Sequence, residues 1–387
     1  MPRPELLRDN KPGVSAHVTS VELFFDLVYV FAFTQLSEVL YEHLSLTGAA
    51  DLAVLFVAVW WSWSYTAWAT GWIDPEYRRV AALIVVLMLA SLVMAASIVG
   101  AFGVHGETFA LAYVTMQLLR NAFMVWAFGL RAQMGRTYLR VLVWSALSGT
   151  VWIVGGGLEG GYARLAVWTA AAALELAAPA FAFRLPGAAP APVDSWKVAG
   201  GHLAERFQLL LTIAFGESFL RIGEAWAARG EGVTAGGAAL AAGFVLVVAL
   251  WSSYFLHHAA PGAKALQRAG AEAARLARSA FMYAHGLMVA GVVVLAVAVH
   301  LTIERPLVAS GLGIAAAAAG GAALFAVGLG LSKRWLGHGT ARGSVLAAAT
   351  FATTGAVTAV AGGSRLLELS VVSAVAVAFA GWIQAED

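Results

Sequence analysis

The sequence predicts an all-α, polytopic membrane protein of about twelve transmembrane helices, arranged as two parallel six-helix repeats. Three observations predict it: a charge-poor composition, a succession of long apolar runs, and a one-sided distribution of basic residues. The chain has 387 residues, 60% hydrophobic and 12% charged, with mean hydropathy +0.78. Soluble domains carry about twice that share of charge, roughly 25%. Cysteine is absent, which removes disulfide frameworks, thiolate metal sites and cysteine nucleophiles. The polar start MPRPELLRDNKPG leads into an apolar run longer than a signal-peptide core and without a small-residue cleavage pattern, so no cleavage is expected.

A helix needs about 20 mostly apolar residues to cross a bilayer. The runs that meet this are 19–43, 48–72, 79–101, 107–130, 138–157, 163–184, 202–227, 236–258, 276–300, 308–331, 343–361 and 365–383. With the N-terminus cytoplasmic, the opposite loops hold only Arg164, Arg229, Arg305 and Arg365 of the 24 Lys and Arg. Arg120, Arg206 and Arg221 fall inside the runs, and the other basic residues lie in cytoplasmic segments. This bias fits the positive-inside rule with both termini in the cytoplasm of a bacterial inner membrane, and it favours an even number of spans. Every lysine (Lys11, Lys197, Lys264, Lys333) falls in a cytoplasmic segment, so no intramembrane amine is expected for a Schiff base.

The seventh run, AERFQLLLTIAFGESFLRIGEAW, lies under VELFFDLVYVFAFTQLSEVL of the first. Glu205 then falls under Glu22, Phe207 under Phe24 and, after one residue of slippage, Glu217 under Gln35. The next runs correspond as WWSWSYTAW against LWSSYFLHH. Six spans per half make such a repeat parallel about the membrane normal. The expected organisation is a cytoplasmic segment 1–18, a first half 19–184, a linker 185–201, a second half 202–383 and a short C-terminus 384–387. The linker is rich in Pro, Gly and Ala, hence short and fairly stiff.

The acids are the unusual feature of these runs. Glu22 and Asp26 share one helix face, and Glu38 follows on the same run. An ionised carboxylate at such depth is costly without compensation and calls for a partner or a proton. Glu217, Arg221 and Glu224 form an acid, base, acid stripe on the seventh helix, where Glu205 and Arg206 sit near the cytoplasmic end. Arg120 and Glu175 are near mid-span in the fourth and sixth runs. Deep charges face a bundle interior and pair with one another, which predicts a polar cluster of Asp26, Arg120, Glu175 and Glu217. Structural ion pairs that hold helices in register are the alternative, above all for Glu22, Glu205 and Glu38.

The stretch WWSWSYTAWATGW places Trp60, Trp61, Trp63 and Tyr65 through the middle of a span, where interfacial belts do not account for them. They are candidates to line a site for an aromatic, cationic or lipid-like ligand, or they are plain packing. Phe24, Phe25, His202, Tyr254 and His285 join them as candidate lining residues, and the His285 imidazole could relay protons. Adjacent His257 and His258 diverge by about 100° on a helix and cannot chelate one ion. No metal site or cofactor is expected. GGGLEGG reads as loop or close-packing glycine, and net charge +2 gives no support for nucleic-acid binding.

Three stretches together, SVELFFDLVYVFAFTQLS (20–37), WWSWSYTAWATGWID (60–74) and HLAERFQLLLTIAFGES (202–218), resemble the bacterial low temperature requirement protein A family (LtrA). The motif positions here are Glu22, Phe24, Phe25, Asp26, His202, Glu205, Arg206, Gly216 and Glu217. The resemblance implies a multi-pass membrane protein with a role in growth in the cold, and it supplies no substrate. The expected function is a proton-coupled secondary transporter of a small or lipid-like solute, with membrane lipids, protons and that solute as its partners. Alternatives are a cation or proton channel, or a membrane-embedded lipid-binding sensor or enzyme; no GxSxG, HExxH or P-loop supports catalysis.

Overall fold

The computed structural model describes residues 3–8, 17–187, 199–228, 233–337 and 341–386. Lys11, Lys197, Arg229 and residues 188–198 of the expected linker lie outside the described residues. Among the described residues the regular structure is helical. The first six helices are α1 (Ser20–Glu42), α2 (Leu46–Thr70), α3 (Arg78–Ala96), α4 (Gly106–Phe128), α5 (Gln133–Gly156) and α6 (Gly161–Ala177). There follow α7 (Gly200–Ala227), α8 (Val233–Phe255), α9 (Ala259–Arg268), α10 (Ala273–Leu276), α11 (Ala284–Glu304), α12 (Leu312–Leu336), α13 (Arg342–Ala361) and α14 (Arg365–Glu386).

Nine helical stretches among the described residues are long and apolar enough to cross a membrane. They comprise α1, α2, α3, α5, α12, α13, α14, the α8–α9 stretch and the stretch ending in α11. The remaining expected spans correspond to α4, α6 and α7. These three helices form, but they carry the deep charges: Arg120 on α4, Glu175 on α6, and Glu217 with Arg221 on α7. Helix α6 is also short, at 17 residues. Apolar stripes such as Val85, Val86, Leu89 and Leu92 on α3 face outward, an arrangement that lipid accepts and water does not. The chain is a membrane protein.

The chain divides into two compact units. The first comprises Met1–Val39, Leu46–Leu203 and Ala273–Arg275; the second comprises Leu40–Ser45, Ala204–Glu272 and Leu276–Asp387. In the first, α3, α4, α5 and α6 pack each on the next, and α6 also packs on α2. In the second, α11, α12, α13 and α14 pack in the same succession, and α14 returns to α8.

Local chemistry sets the ends of these elements. The sixth run stops at Ala177 rather than 184, two residues before Pro179, because proline and the residue before it disfavour helical continuation. The chain then turns back, with Ala182 and Phe183 both at φ 49°. A bulky side chain rarely takes this left-handed backbone. At the opposite end of α6, Arg164 is buried and donates to the carbonyls of Ala101 (2.7 Å), Gly103 (2.7 Å), Gly155 (3.2 Å) and Gly156 (3.1 Å). It caps carbonyls that the ends of neighbouring elements leave unsatisfied. GGGLEGG resolves accordingly: Gly156 packs so closely on α4 that an added Cβ would lie 2.9 Å from the Gly106 carbonyl oxygen, while Gly160 takes φ +76° in the turn.

Three features of the second unit were not expected. Helix α9 extends the eighth run with an amphipathic segment that buries Ala259, Gly262 and Leu266, the geometry of an interfacial helix. Helix α11 is preceded by a π-helical stretch, Ala277–Tyr283. Lys333, assigned from sequence to a cytoplasmic loop, is buried in the last turn of α12. The helix runs beyond the expected end at 331 and draws this lysine inside.

Candidate functional site: the polar core of the first unit

Four helices of the first unit bring their polar side chains together. Arg120, 1% exposed on α4, donates to Gln117 Oε1 on its own helix, to the Ser62 carbonyl (3.3 Å) and to Thr66 Oγ1 (3.4 Å) on α2. Its guanidinium also lies over the Tyr65 ring, 5.2 Å from the centroid. Gln117 Nε2 donates to Tyr113 Oη at 2.8 Å, and Tyr113 donates to Glu175 Oε2 on α6. Ser148 Oγ (2.8 Å) and Trp152 Nε1 (3.2 Å) from α5 donate to the other carboxylate oxygen.

The spacing explains the convergence. Tyr113, Gln117 and Arg120 stand at i, i+4 and i+7, so one face of α4 carries them all. Every hydrogen bond in the chain Arg120, Gln117, Tyr113, Glu175 points the same way, from guanidinium to carboxylate. The amide supplies both an acceptor and a donor, as its chemistry allows. Arg120 and Glu175 are therefore joined without touching. Among the described residues no basic side chain stands within ion-pair distance of Glu175.

Beside this chain lies a small, partly open cleft with room for about one water molecule. Trp61 and Tyr65 of α2, Trp144 of α5 and Phe183 form its aromatic lining, and Glu175, Gln117, Ser145 and Ser148 its polar lining. The left-handed backbone at Phe183 places that ring against Val141 and Ala178, with Tyr65 and Trp144 packed alongside. Trp144 Nε1 donates to the Arg184 carbonyl at 3.2 Å, which ties the turn after α6 to α5.

The other expected residues of this unit have hydrogen bonds and packing partners of their own. Asp26 is buried and accepts from Trp63 Nε1 at 2.7 Å. Trp63, read as a ligand-lining residue, is thus a hydrogen-bond donor; Trp60 stacks on Phe56 and lies 5.6 Å from Trp63. Phe25 is buried against Tyr29, whereas Phe24 is 59% exposed on the outer face of α1.

Glu22 is buried. Its carboxylate accepts from Arg8 Nη2 (2.8 Å), from the Thr19 amide (3.0 Å) and hydroxyl (2.9 Å), and from His202 Nε2 (2.9 Å). Arg8 Nη2 also stands 3.2 Å from His202 Nε2. Both groups are donors once that nitrogen carries the proton for Glu22, so the contact adds no bond. Glu22 anchors the N-terminal segment and the start of α7 to α1.

In the second unit, Glu217 is buried and accepts from Arg221 Nε at 3.2 Å one turn along α7, while Arg221 Nη1 lies 3.6 Å from the exposed Glu224. Glu205 is half-buried and Arg206 fully buried. His285 donates from Nδ1 to the Ala280 carbonyl at 2.9 Å, inside the π-helical stretch, and so accepts from Tyr254 Oη at 2.6 Å. Of the expected cluster, Arg120 and Glu175 are connected through Gln117 and Tyr113, Asp26 accepts from Trp63, and Glu217 accepts from Arg221. Sequence reasoning missed Tyr113, Gln117, Ser148 and Trp152. The available signal was the i, i+4, i+7 stripe of polar side chains that ends at Arg120.

No group of three or more His, Asp or Glu capable of holding a metal ion occurs among the described residues. No solved structure matches the chain. A curated relative, "Uncharacterized protein RA0937" of Rhizobium meliloti (strain 1021), is 34% identical over 316 residues, which cover 81% of this chain and 76% of that protein. Residues 17–380 match the family described as "Bacterial low temperature requirement A protein (LtrA)". With nearly its whole length inside that match, the chain belongs to the bacterial low temperature requirement A protein (LtrA) family.

Proposed function

We propose that the protein is a proton-coupled secondary transporter of a small or lipid-like solute in the bacterial inner membrane, with twelve spans, both termini cytoplasmic and two six-helix repeats. The carrying observation is Glu175. It is a buried carboxylate that borders an open cleft, receives hydrogen bonds from three neutral donors and touches no cation. Burying a carboxylate is costly unless its charge is compensated. Here the compensation comes through a relay from Arg120 and from whatever enters the cleft, a proton included.

The matching packing order in the two units, third to sixth helix in succession with the sixth back on the second, supports the repeat. Asp26 and Glu217 are further carboxylates whose charge can change as access alternates.

The test is proton flux in liposomes loaded with a pH dye, with and without an imposed potential, for the wild-type protein and for Glu175→Gln, Asp26→Asn and Glu217→Gln. Flux that needs an added solute and is lost in Glu175→Gln is the expected result. Flux without any solute, saturating with nothing, would identify a leak channel. Unchanged coupling in all three variants would overturn the proposal.

A further inference from the structure

The cleft beside Glu175 has room for about one water molecule. Small-molecule sites occupy roughly 300–1,000 Å³, so an organic solute does not fit there. What does fit is set by the polar wall, Glu175, Gln117, Ser145 and Ser148. An ordered water needs a space of that size and about two to four polar partners, which this wall supplies.

The hydrogen bonds already made leave the right atoms over. An ionised carboxylate offers about four lone-pair positions. Ser148 Oγ and Trp152 Nε1 use the two on Glu175 Oε1, and Tyr113 Oη uses one on Oε2, so the protein donors leave a position on Oε2. Gln117 gives one N–H of Nε2 to Tyr113 and its Oε1 to Arg120, which leaves its second amide N–H. Ser145 Oγ accepts from Asn121 Nδ2 at 2.9 Å and keeps its own proton to donate. A water in the cleft can therefore accept from Gln117 and Ser145 and donate to Glu175.

The protein groups around Glu175 cannot supply it with a proton. Those that are charged or titratable are Tyr113 and, through Gln117, Arg120 of α4, with Tyr65 of α2 across the cleft under the Arg120 guanidinium; α5 presents Ser148 and Trp152. Neither a guanidinium nor a carboxamide gives up a proton, so the chain from Arg120 stabilises charge and conducts nothing.

We propose that the cleft is a proton port, in which one ordered water held by Gln117 and Ser145 exchanges a proton with Glu175 Oε2. When an excess proton reaches the water, an O–H bond of the resulting oxonium ion breaks and an O–H bond to Oε2 forms. A neutral water remains, and the positive and negative charges cancel. The new carboxyl group donates to this water, and the Ser145 hydroxyl turns from donor to acceptor to make way. The reverse step restores both charges. This deepens the transport reading by naming the route of its proton and by placing the solute outside this cleft; it rests on that reading for coupling, though not for the exchange.

The experiment is pH-jump infrared difference spectroscopy on the full chain in phosphatidylcholine liposomes, in ordinary water and in water enriched in a heavy oxygen isotope. Lowering the pH is expected to raise one carboxyl C=O band, absent in Glu175→Gln, together with a water O–H band that shifts in the heavy-oxygen solvent. Ser145→Thr keeps the hydroxyl and adds a methyl group to the wall; the water band is lost and the carboxyl band rises at least about tenfold more slowly. Ser145→Ala leaves room and removes the hydroxyl, so the water band stays and shifts. Its retention there separates loss of the water from loss of fold.

A Glu175 band without a water band, no Glu175 band at any pH at which the protein stays folded, or a wild-type rate in Ser145→Thr would overturn the port. Proton flux in liposomes that is lost in Glu175→Gln, with no water band, overturns the port and leaves the transport reading intact. Both bands present, with equal proton flux in the wild-type protein and Glu175→Gln, supports the port and overturns the transport reading.

Discussion

One interface from each unit shows two different means of holding helices together. In the first, α4, α5 and α6 meet through Tyr113, Gln117, Arg120, Ser148, Trp152 and Glu175, a set of buried polar groups with directed hydrogen bonds. In the second, α11 and α12 meet through glycine. An added Cβ on Gly291 would lie 2.5 Å from the Gly321 carbonyl oxygen, and one on Gly321 would lie 2.7 Å from that of Gly291. Small residues let membrane helices approach until their backbones touch, and that contact is stable without any polar group. A directed polar interface leaves room between helices and can change its charge state; a glycine interface can do neither. The cleft accordingly lies among α2, α4, α5 and α6.

Substitution of Gly321 by Val breaks the comparison most severely. The new side chain meets backbone, which cannot move aside as a flexible side chain can, so the cost is expected at the upper end of the range for overpacking, about 3 kcal/mol. Yield of monodisperse protein and thermal unfolding in detergent measure it. Wild-type stability in Gly321→Val would mean that α11 and α12 are not locked by this contact.

An intermediate effect is expected at Asp26, which is buried against Trp63. Trp63→Phe keeps the ring volume approximately and removes the Nε1 donor to the carboxylate. Hydrogen bonds to charged groups contribute about 1.5–3 kcal/mol, and a loss of that size in thermal unfolding is the expected outcome. A loss confined to solute binding, with stability unchanged, would instead return Trp63 to the ligand-lining role that the sequence suggested.

Much of this arrangement was legible in the sequence, and the reasons differ residue by residue. Asp26, Glu175, Arg120 and Glu217 stand out because charge in an apolar run is costly, and all four are buried. Their partners did not stand out. Tyr113, Gln117 and Ser148 are neutral polar residues that occur on helices for many reasons, and only the fold brings them to Glu175. The tryptophans of α2 were visible as a group, but their roles divide: Trp61 faces the cleft, Trp63 serves Asp26 and Trp60 packs on Phe56. Phe24 and Phe25 are adjacent, so a helix sends them to different faces, outward and inward. Phe183 depends on a backbone turn after α6 that apolar periodicity does not encode. Lys333 was misplaced because helix ends in Ala- and Gly-rich sequence carry little signal.

The smallest effect is expected where a polar group of the second unit resembles the first unit's chemistry most closely. Tyr254 Oη donates to His285 Nε2, and His285 Nδ1 is already committed to the Ala280 carbonyl. The imidazole also stacks on Phe281, with centroids 4.9 Å apart and planes at 15°. Tyr254→Phe leaves that stacking and the Nδ1 bond in place and deprives a single acceptor of its donor. Hydrogen bonds between membrane helices average about 0.6 kcal/mol and reach about 1.7, so thermal unfolding should register a loss within that range. A double-mutant cycle with His285→Phe then tests what the pair is for. If the hydroxyl and the imidazole only satisfy one another, their coupling energy should account for the whole loss in Tyr254→Phe, and transport in liposomes should be untouched, since neither group faces the cleft. A proton flux that collapses in Tyr254→Phe while stability holds would show instead that the second unit carries a proton path of its own, and the contrast between a reactive first unit and a packed second one would fail.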